Sequence, residues 1–384
     1  MKVTINQKGT ERLLKGHAWI FRSDVTSVEK EQAGTAAVYS HQGKLLGEAL
    51  YSPKSLIALR LMTRGPEKIT QSTIRERLAM ALARRREMYP QDEAYRLAFG
   101  EADHLPSLIV DRFGDSVVFQ TLSAGMETFK DHIVLCLREL LGPRSIFERN
   151  DSSVRQHEDL PLIRQAVYGE AREEIDFRFS GKTFAFQPLE GQKTGFFLDQ
   201  RFNGEAASRY AKGEMLDAFC YVGQFGLHAA PRVASVLCVD ASEPALAQVQ
   251  RNVQANGFEN IQTRGANVFD FLKECDLEQR RFDTISLDPP AFVKNKASLK
   301  QAWRGYKEIN LRAMRLLRPG GILITSSCSQ HMNVELFERM LSEAARDARR
   351  PIQLLEKRGQ PADHPILLSM PETEYLKCYI LRVE

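Results

Sequence analysis

The 384-residue chain is 43% hydrophobic and 27% charged, with a formal net charge of +4. That balance excludes a disordered tail, a collagen-like repeat and a coiled coil, and the length predicts two or three domains at roughly 100–200 residues each. Its six cysteines form no CxxC pair, which argues against a zinc knuckle or a disulfide framework, and no uncharged apolar run approaches the roughly 18 residues of a spanning helix. The opening MKVTINQKGTERLL has no apolar core for a secretory signal, so a cytoplasmic protein without membrane or metal partners is expected.

In chain order, short alternating runs up to Arg64 (WIFRSDV, TAAVYS, KLLGEALY, LIALRLM) predict a small β-barrel over residues 1–70. This quarter is basic: residues 1–90 carry 16 Lys and Arg against 8 Asp and Glu, and the remainder carries 37 against 41. Lys8, Arg12, Lys15, Arg22 and the run Arg84-Arg85-Arg86 suit a nucleic-acid contact surface as well as plain solubilising charge. A central α/β module is predicted over 71–187. It opens on a helix from Thr70 to Tyr89 with Ile74, Leu78, Ala81 and Leu82 on one face and Arg75, Arg85 and Arg86 largely elsewhere. SLIVDRF and SVVFQTL flank a Gly114-Asp115 turn, a helix covers about 127–141, SIFERN is a strand, and 175–187 is a hairpin around Ser180-Gly181-Lys182.

From Pro188 the period changes to strand–helix–strand. EMLDAF, SVLCVD, IQTRGA, FDTISLD and GGILITSSC read as strands, helices fall near 298–317 and 333–349, and two closing strands lie near 352–357 and 376–383. The pattern predicts a doubly wound, mostly parallel sheet over 188–384.

In such a sheet ligands bind outside the carboxyl ends of the strands. The turn Asp217-Ala-Phe219-Cys-Tyr221-Val-Gly223 is not GxGxxG, which disfavours a pyrophosphate-bearing cofactor, while Asp240 ends the second strand where a carboxylate accepts from both ribose hydroxyls. That combination suits S-adenosylmethionine (SAM). The expected contact set is Asp217, Phe219, Tyr221, Gly223, Asp240, Ser242 and, after the third strand, Asn267 and Val268. Asp288-Pro289-Pro290 ends the fourth strand, where the prolines hold the chain extended. Cys328, flanked by polar residues, follows the fifth. Cys136, Cys220, Cys238, Cys275 and Cys378 read as small buried hydrophobes.

A cysteine and a carboxyl at one rim fit carbon methylation of a pyrimidine. C5 of cytosine is a weak nucleophile until a thiolate adds at C6, and the thiolate needs an electropositive setting. Asp288 is the expected contact for charge building toward N3. Lys307 is a candidate local cation, and the sequence does not identify the base that removes the C5 proton, for which His364 and Glu372 are candidates.

Lys15-Gly-His-Ala-Trp-Ile-Phe21, Gly191-Gln-Lys-Thr-Gly-Phe-Phe-Leu-Asp-Gln-Arg201, Asp288-Pro-Pro-Ala-Phe292, Arg304-Gly-Tyr-Lys-Glu-Ile-Asn310, Ser327-Cys-Ser329 and Ala362-Asp-His-Pro365 together resemble the RlmI-type bacterial 23S rRNA (cytosine-5)-methyltransferases. The resemblance spans essentially the whole chain. It implies an N-terminal PUA β-barrel, a small central α/β domain that helps hold RNA, and a Rossmann-like class I methyltransferase domain with a seven-stranded sheet. It also implies Cys328 as nucleophile, Phe197, Gln200 and Arg201 around the cofactor pocket, 23S rRNA or a large-subunit precursor as substrate, and a homodimer. Two positions depart from the family pattern. Asn267 replaces an Asp that accepts from the adenine amino group, and Gly204 replaces a larger residue, often Arg, whose contact with RNA would tune substrate choice.

Three other readings compete. Exocyclic amino methylation is disfavoured because Ala291 separates the prolines from an aromatic residue. Uridine C5 methylation would use the same cysteine. A non-catalytic RNA-binding or ribosome-assembly protein would need neither Cys328 nor Asp288.

Overall fold

The computed structural model describes residues 1–191, 194–292 and 299–384. Gln192 and Lys193 of the Gly191–Arg201 motif, and Ser298 at the start of a predicted helix, lie outside the described residues.

Strands β1 (Lys2–Ile5), β2 (Trp19–Phe21), β3 (Val25–Val28), β4 (Gly34–Tyr39), β5 (Leu45–Tyr51) and β6 (Ile57–Arg64) form one sheet in the order β2-β6-β5-β4-β1-β3. Val3, Ile5, Ile20, Val38, Ala49 and Leu59 point to a common core, as period-2 alternation requires. Helix α1 (Gln7–Leu14) was not expected. Its N-cap is Asn6, whose side chain accepts from Gly9 N, and only Gly9 and Leu13 are buried, too few for an apolar period to register.

Helices α2 (Gln71–Met88), α3 (Ala124–Glu127) and α4 (Lys130–Leu141) accompany β7 (Ala94–Phe99), β8 (Leu108–Phe113), β9 (Ser116–Thr121), β10 (Ser145–Asn150) and β11 (Ile163–Gly169), ordered β11-β10-β9-β8-β7. One expectation for α2 fails. Arg85 lies on the buried face with Ile74, Leu78, Ala81 and Leu82. Its guanidinium binds both carboxylate oxygens of Asp103 at 2.6 Å, the Arg96 carbonyl at 2.9 Å and the Asp363 carbonyl at 2.8 Å. Arg84 also donates to Asp103, and Arg12 pairs with Asp24, so part of the basic quarter neutralises internal acids. Lys8, Lys15 and Arg86 remain exposed.

After the hairpin β12 (Ile175–Phe179) and β13 (Lys182–Phe186) come α5 (Arg201–Tyr210), β14 (Glu214–Ala218), α6 (Gln224–Ala229), β15 (Ser235–Asp240), α7 (Glu243–Ala255), β16 (Ile261–Gly265), α8 (Val268–Leu277), β17 (Phe282–Leu287), α9 (Leu299–Leu316), β18 (Leu317–Ser327), α10 (Val334–Ala348), β19 (Ile352–Arg358) and β20 (Lys377–Val383). The seven-stranded sheet runs β16-β15-β14-β17-β18-β20-β19. The first five strands pair in parallel, and β20 is antiparallel to both neighbours. The apolar runs of the central strands β14, β17 and β18 are short because these strands are covered on both faces and bounded by a cap or turn. Ser242, for example, caps α7 by accepting from Ala245 N. Strand order reverses on either side of β14, which puts the switch point where its carboxyl end meets those of β15 and β17. The expected mostly parallel α/β sheet is therefore present.

The chain forms two compact units. One comprises Met1–Phe177, Phe186–Leu198 and Ala362–Thr373; the other comprises Arg178–Ala185, Asp199–Pro361 and Glu374–Glu384 and contains the seven-stranded sheet.

Candidate active site

The cofactor turn leaves β14 through an unusual backbone. Phe219 (φ 60°), Tyr221 (φ 49°) and Gly223 (φ 82°) all occupy the left-handed region. Two non-glycine residues held there are a strain that the surroundings must enforce. The enforcing bonds come from two carboxylates. Asp240 accepts from Tyr221 N at 3.0 Å with one oxygen and from Ser242 N at 2.9 Å with the other. Asp217 accepts from Gly226 N at 2.8 Å and from the Ser286 hydroxyl at 2.6 Å. Asp240 is half-buried, and each of its oxygens keeps a lone pair for a ribose hydroxyl. Asp217, expected as a cofactor contact, is 1% exposed. Its carboxyl is enclosed and acts through the shape of the turn.

Burial raises the Asp217 carboxyl from its ordinary 3.8 to about 6. The folded chain then binds this proton more tightly than the unfolded chain. The associated stability is fully present below about pH 4 and disappears as pH rises through 6. We expect wild type to lose stability relative to Asp217→Asn, on the order of 3 kcal/mol, between pH 4 and pH 7 in denaturant unfolding. A difference that stays flat over that range would contradict the assignment.

Gly223 is required by space as well as by φ. A Cβ would sit 2.7 Å from Leu227 Cδ1 and 3.1 Å from Val249 Cγ1. Gly223→Ala should cost about 1–3 kcal/mol, read as a lower melting temperature together with weaker SAM binding by calorimetry. Unchanged binding would show that the turn does not shape the cofactor site.

Across the rim, Ala266 N donates to the Asp240 carbonyl at 3.0 Å, tying the start of α8 to β15. Asn267 caps α8, its side-chain oxygen accepting from Phe269 N at 2.9 Å, a job that an Asp would also do. The Val268 side chain is buried in the core, so only its backbone is placed to face a ligand. Phe219 packs edge-on against Phe269 and Phe292, and Phe292 against Tyr306. Sequence reasoning missed Phe269, and the aromatic wall was not anticipated. A half-exposed carboxylate, an amide at a helix start and this wall suit the ribose and base of SAM.

Asp288 follows β17 at the same rim, its backbone N 3.5 Å from the Ala218 carbonyl. Gln200 Nε2 donates to its Oδ1 at 2.9 Å, Asn203 donates to Gln200 at 2.6 Å, and Arg358 donates to Asn203 at 3.1 Å. This relay fixes the carboxyl's orientation from α5. Arg201 is buried with its guanidinium 4.3 Å from the Phe179 ring centroid, so it braces α5 against the hairpin. Phe197 is half-buried and belongs to the other unit.

Cys328 lies immediately beyond β18 and is half-buried; the other five cysteines are buried. The Tyr306 hydroxyl is 2.9 Å from Ser329 Oγ, and Lys377 Nζ donates to the Ser329 carbonyl at 2.8 Å. Lys307, expected as the local cation, has other partners. Lys307 turns to Asp347 at 2.7 Å and Glu343 at 3.5 Å on α10. Lys377, not singled out from the sequence, opens an apolar strand in register opposite Ser327.

The remaining expected residues have the following surroundings. His364 is buried with Nδ1 3.0 Å from Asp363, and Glu372 lies 3.3 Å from His17, all within the first unit. Gly204 is a buried position of α5, where a Cβ would meet His228 Cδ2 at 2.7 Å. Burial holds His228 neutral down to about pH 4. The Gly204 position therefore faces protein interior, which corrects the idea of an RNA-reading side chain. Among the described residues no cluster of His, Cys, Asp and Glu is arranged to hold a metal ion, and no helix is long and apolar enough to cross a membrane.

Residues 3–64 match the PUA-like domain and residues 211–361 a methyltransferase domain. The chain is 38% identical to ribosomal RNA large subunit methyltransferase I of Pseudoalteromonas atlantica, over 100% of this chain and 99% of the relative. It is 39% identical to the protein of that name from Shewanella denitrificans, over 100% of both. Among solved structures, a candidate SAM-dependent methyltransferase from Streptococcus mutans superposes with a TM-score of 0.86 at 21% identity. A candidate methyltransferase complexed with SAH gives 0.88 at 21%. Both cover 100% of each chain, so the fold is shared along the full length.

Proposed function

Because the chain belongs to the ribosomal RNA large subunit methyltransferase I family, we propose that it methylates C5 of a cytosine in 23S ribosomal RNA through a transient bond between Cys328 and C6. The chain is a SAM-dependent rRNA methyltransferase; the target atom and the covalent step are our reading. The observation that carries it is the half-buried Cys328 at the carboxyl end of β18, on the sheet rim that also holds Asp288 and the cofactor turn.

SAM, when bound, supplies an electrophilic methyl group. Asp240, the turn Phe219–Gly223 and the Asn267–Val268 backbone would hold it. The Cys328 thiolate would add to C6 and push an electron pair onto C5, which would take the methyl group from the sulfonium sulfur and leave S-adenosylhomocysteine as the second product. The C5 proton then leaves to a base, the C6–S bond breaks, and the thiolate returns. Asp288, aimed by Gln200, contacts the ring where charge builds toward N3. A stacked cytosine hides its C6 face, so the target base is single-stranded or flipped out.

In this reading residues 1–70 and 71–187 hold RNA, residues 188–384 carry out the transfer, and the enzyme is a cytoplasmic homodimer. The test is nucleoside analysis of rRNA methylated by the purified enzyme with labelled SAM. Labelled 5-methylcytidine is the expected product. Labelled 5-methyluridine or an amino-methylated cytidine would overturn the assignment.

A further inference from the structure

Lys377 is 4% exposed, an unusual burial for an ammonium group. It opens β20 directly opposite Ser327, the residue before Cys328. Nζ donates to two backbone carbonyls, Ser329 and Tyr375, each at 2.8 Å. One of them belongs to the residue that follows Cys328, so the cation spans the segment carrying the sulfur. Among the described residues no carboxylate forms an ion pair with Nζ. Burying a cation whose direct partners are carbonyl dipoles is costly, and a neutral amide side chain would tie the same two carbonyls without that cost.

From this geometry we propose that Lys377 is a positioning residue that stabilises Cys328 as a thiolate. Two ammonium protons are committed to carbonyls, which leaves the third for the sulfur anion; the thiol proton departs to solvent. The inference rests on Cys328 being the nucleophile. Burial lowers the Lys377 ammonium to about 8, and the charges of Cys328 and Glu374 pull it back up, so it stays mostly cationic at pH 7. The Tyr306 phenol, raised chiefly by burial, stays neutral there.

The test is the pH profile of Cys328 alkylation by iodoacetamide, read by mass spectrometry of its peptide, in wild type, Lys377→Met and Lys377→Arg. We expect an apparent pKa below the roughly 8.5 of free cysteine in wild type. In Lys377→Met the profile should shift up, with alkylation about 10-fold slower at pH 7, an unchanged high-pH plateau and a lower kcat for methyl transfer at similar KM. Lys377→Arg should restore part of the shift. A merely structural lysine would lower stability and leave the profile in place, which would overturn the proposal. Should Lys377→Met not fold, a wild-type apparent pKa of about 8.5 or above overturns it as well. Methyl transfer that survives Cys328→Ala would sink the reaction assignment, whereas the alkylation profile judges the lysine separately.

Discussion

Methyl transfer to ribosomal RNA is expected to fall by at least about 10³-fold when Cys328 is replaced by alanine, with SAM affinity unchanged. The size follows from the chemistry. Without addition at C6, C5 has no electron pair to offer, and no neighbouring group replaces a sulfur nucleophile. The other cysteines cannot substitute, because all five are buried. Cys378, next to Lys377 in sequence, is pushed up to about 12 by burial and stays protonated. Cys378→Ala is therefore the control, with a packing cost but retained activity. Transfer that persists in Cys328→Ala would point to amino methylation instead; SAM affinity measured by calorimetry confirms that the pocket is intact.

Arg85→Met should destabilise the first unit by about 3–5 kcal/mol, the cost of breaking a buried ion pair from one side. The arginine reaches Asp103 with two nitrogens and satisfies the carbonyls of Arg96 and Asp363. Asp363 is itself tied in, accepting from Arg96 N at 3.0 Å and approaching His364 at 3.0 Å. Removing the guanidinium leaves Asp103, which is 1% exposed, with the partly exposed Arg84 as its remaining cation. Arg86→Ala, one residue along on the exposed side, should change stability by no more than about 0.5 kcal/mol. Denaturant unfolding compares the two. Equal, small losses would show that the pair is not the pin we describe.

Much of the fold was legible because its signals are local. β14, β15 and β17 each end in or beside an acidic residue at a chain turn, and Ser242 and Gly257 mark the ends of α7. Cys328 and Asp288 stood out because polar or proline-rich residues sit where an apolar strand stops. What stayed hidden depends on partners far away in sequence. Arg85 looks like a solvated charge until Asp103 closes over it. Lys377 looks like a strand end until β20 docks beside β18 and carries Nζ to a carbonyl 48 residues earlier. Asp217 was expected at the cofactor turn, but the sequence does not show that its carboxyl is enclosed and bonded to Gly226 N and the Ser286 hydroxyl. Gly204 misled for a similar reason: the side chain that fills its space, His228, comes from a different helix.

The covalent step can be observed directly. An rRNA fragment carrying 5-fluorocytidine, incubated with the enzyme and SAM, offers C6 to the thiolate but has no C5 proton to lose, so the C6–S bond cannot be broken by elimination. We expect a denaturation-resistant protein–RNA complex whose tryptic peptide carries the nucleotide on Cys328, dependent on SAM and missing in Cys328→Ala. Ordinary turnover of the fragment with no trapped complex, or a complex that still forms in Cys328→Ala, would contradict it.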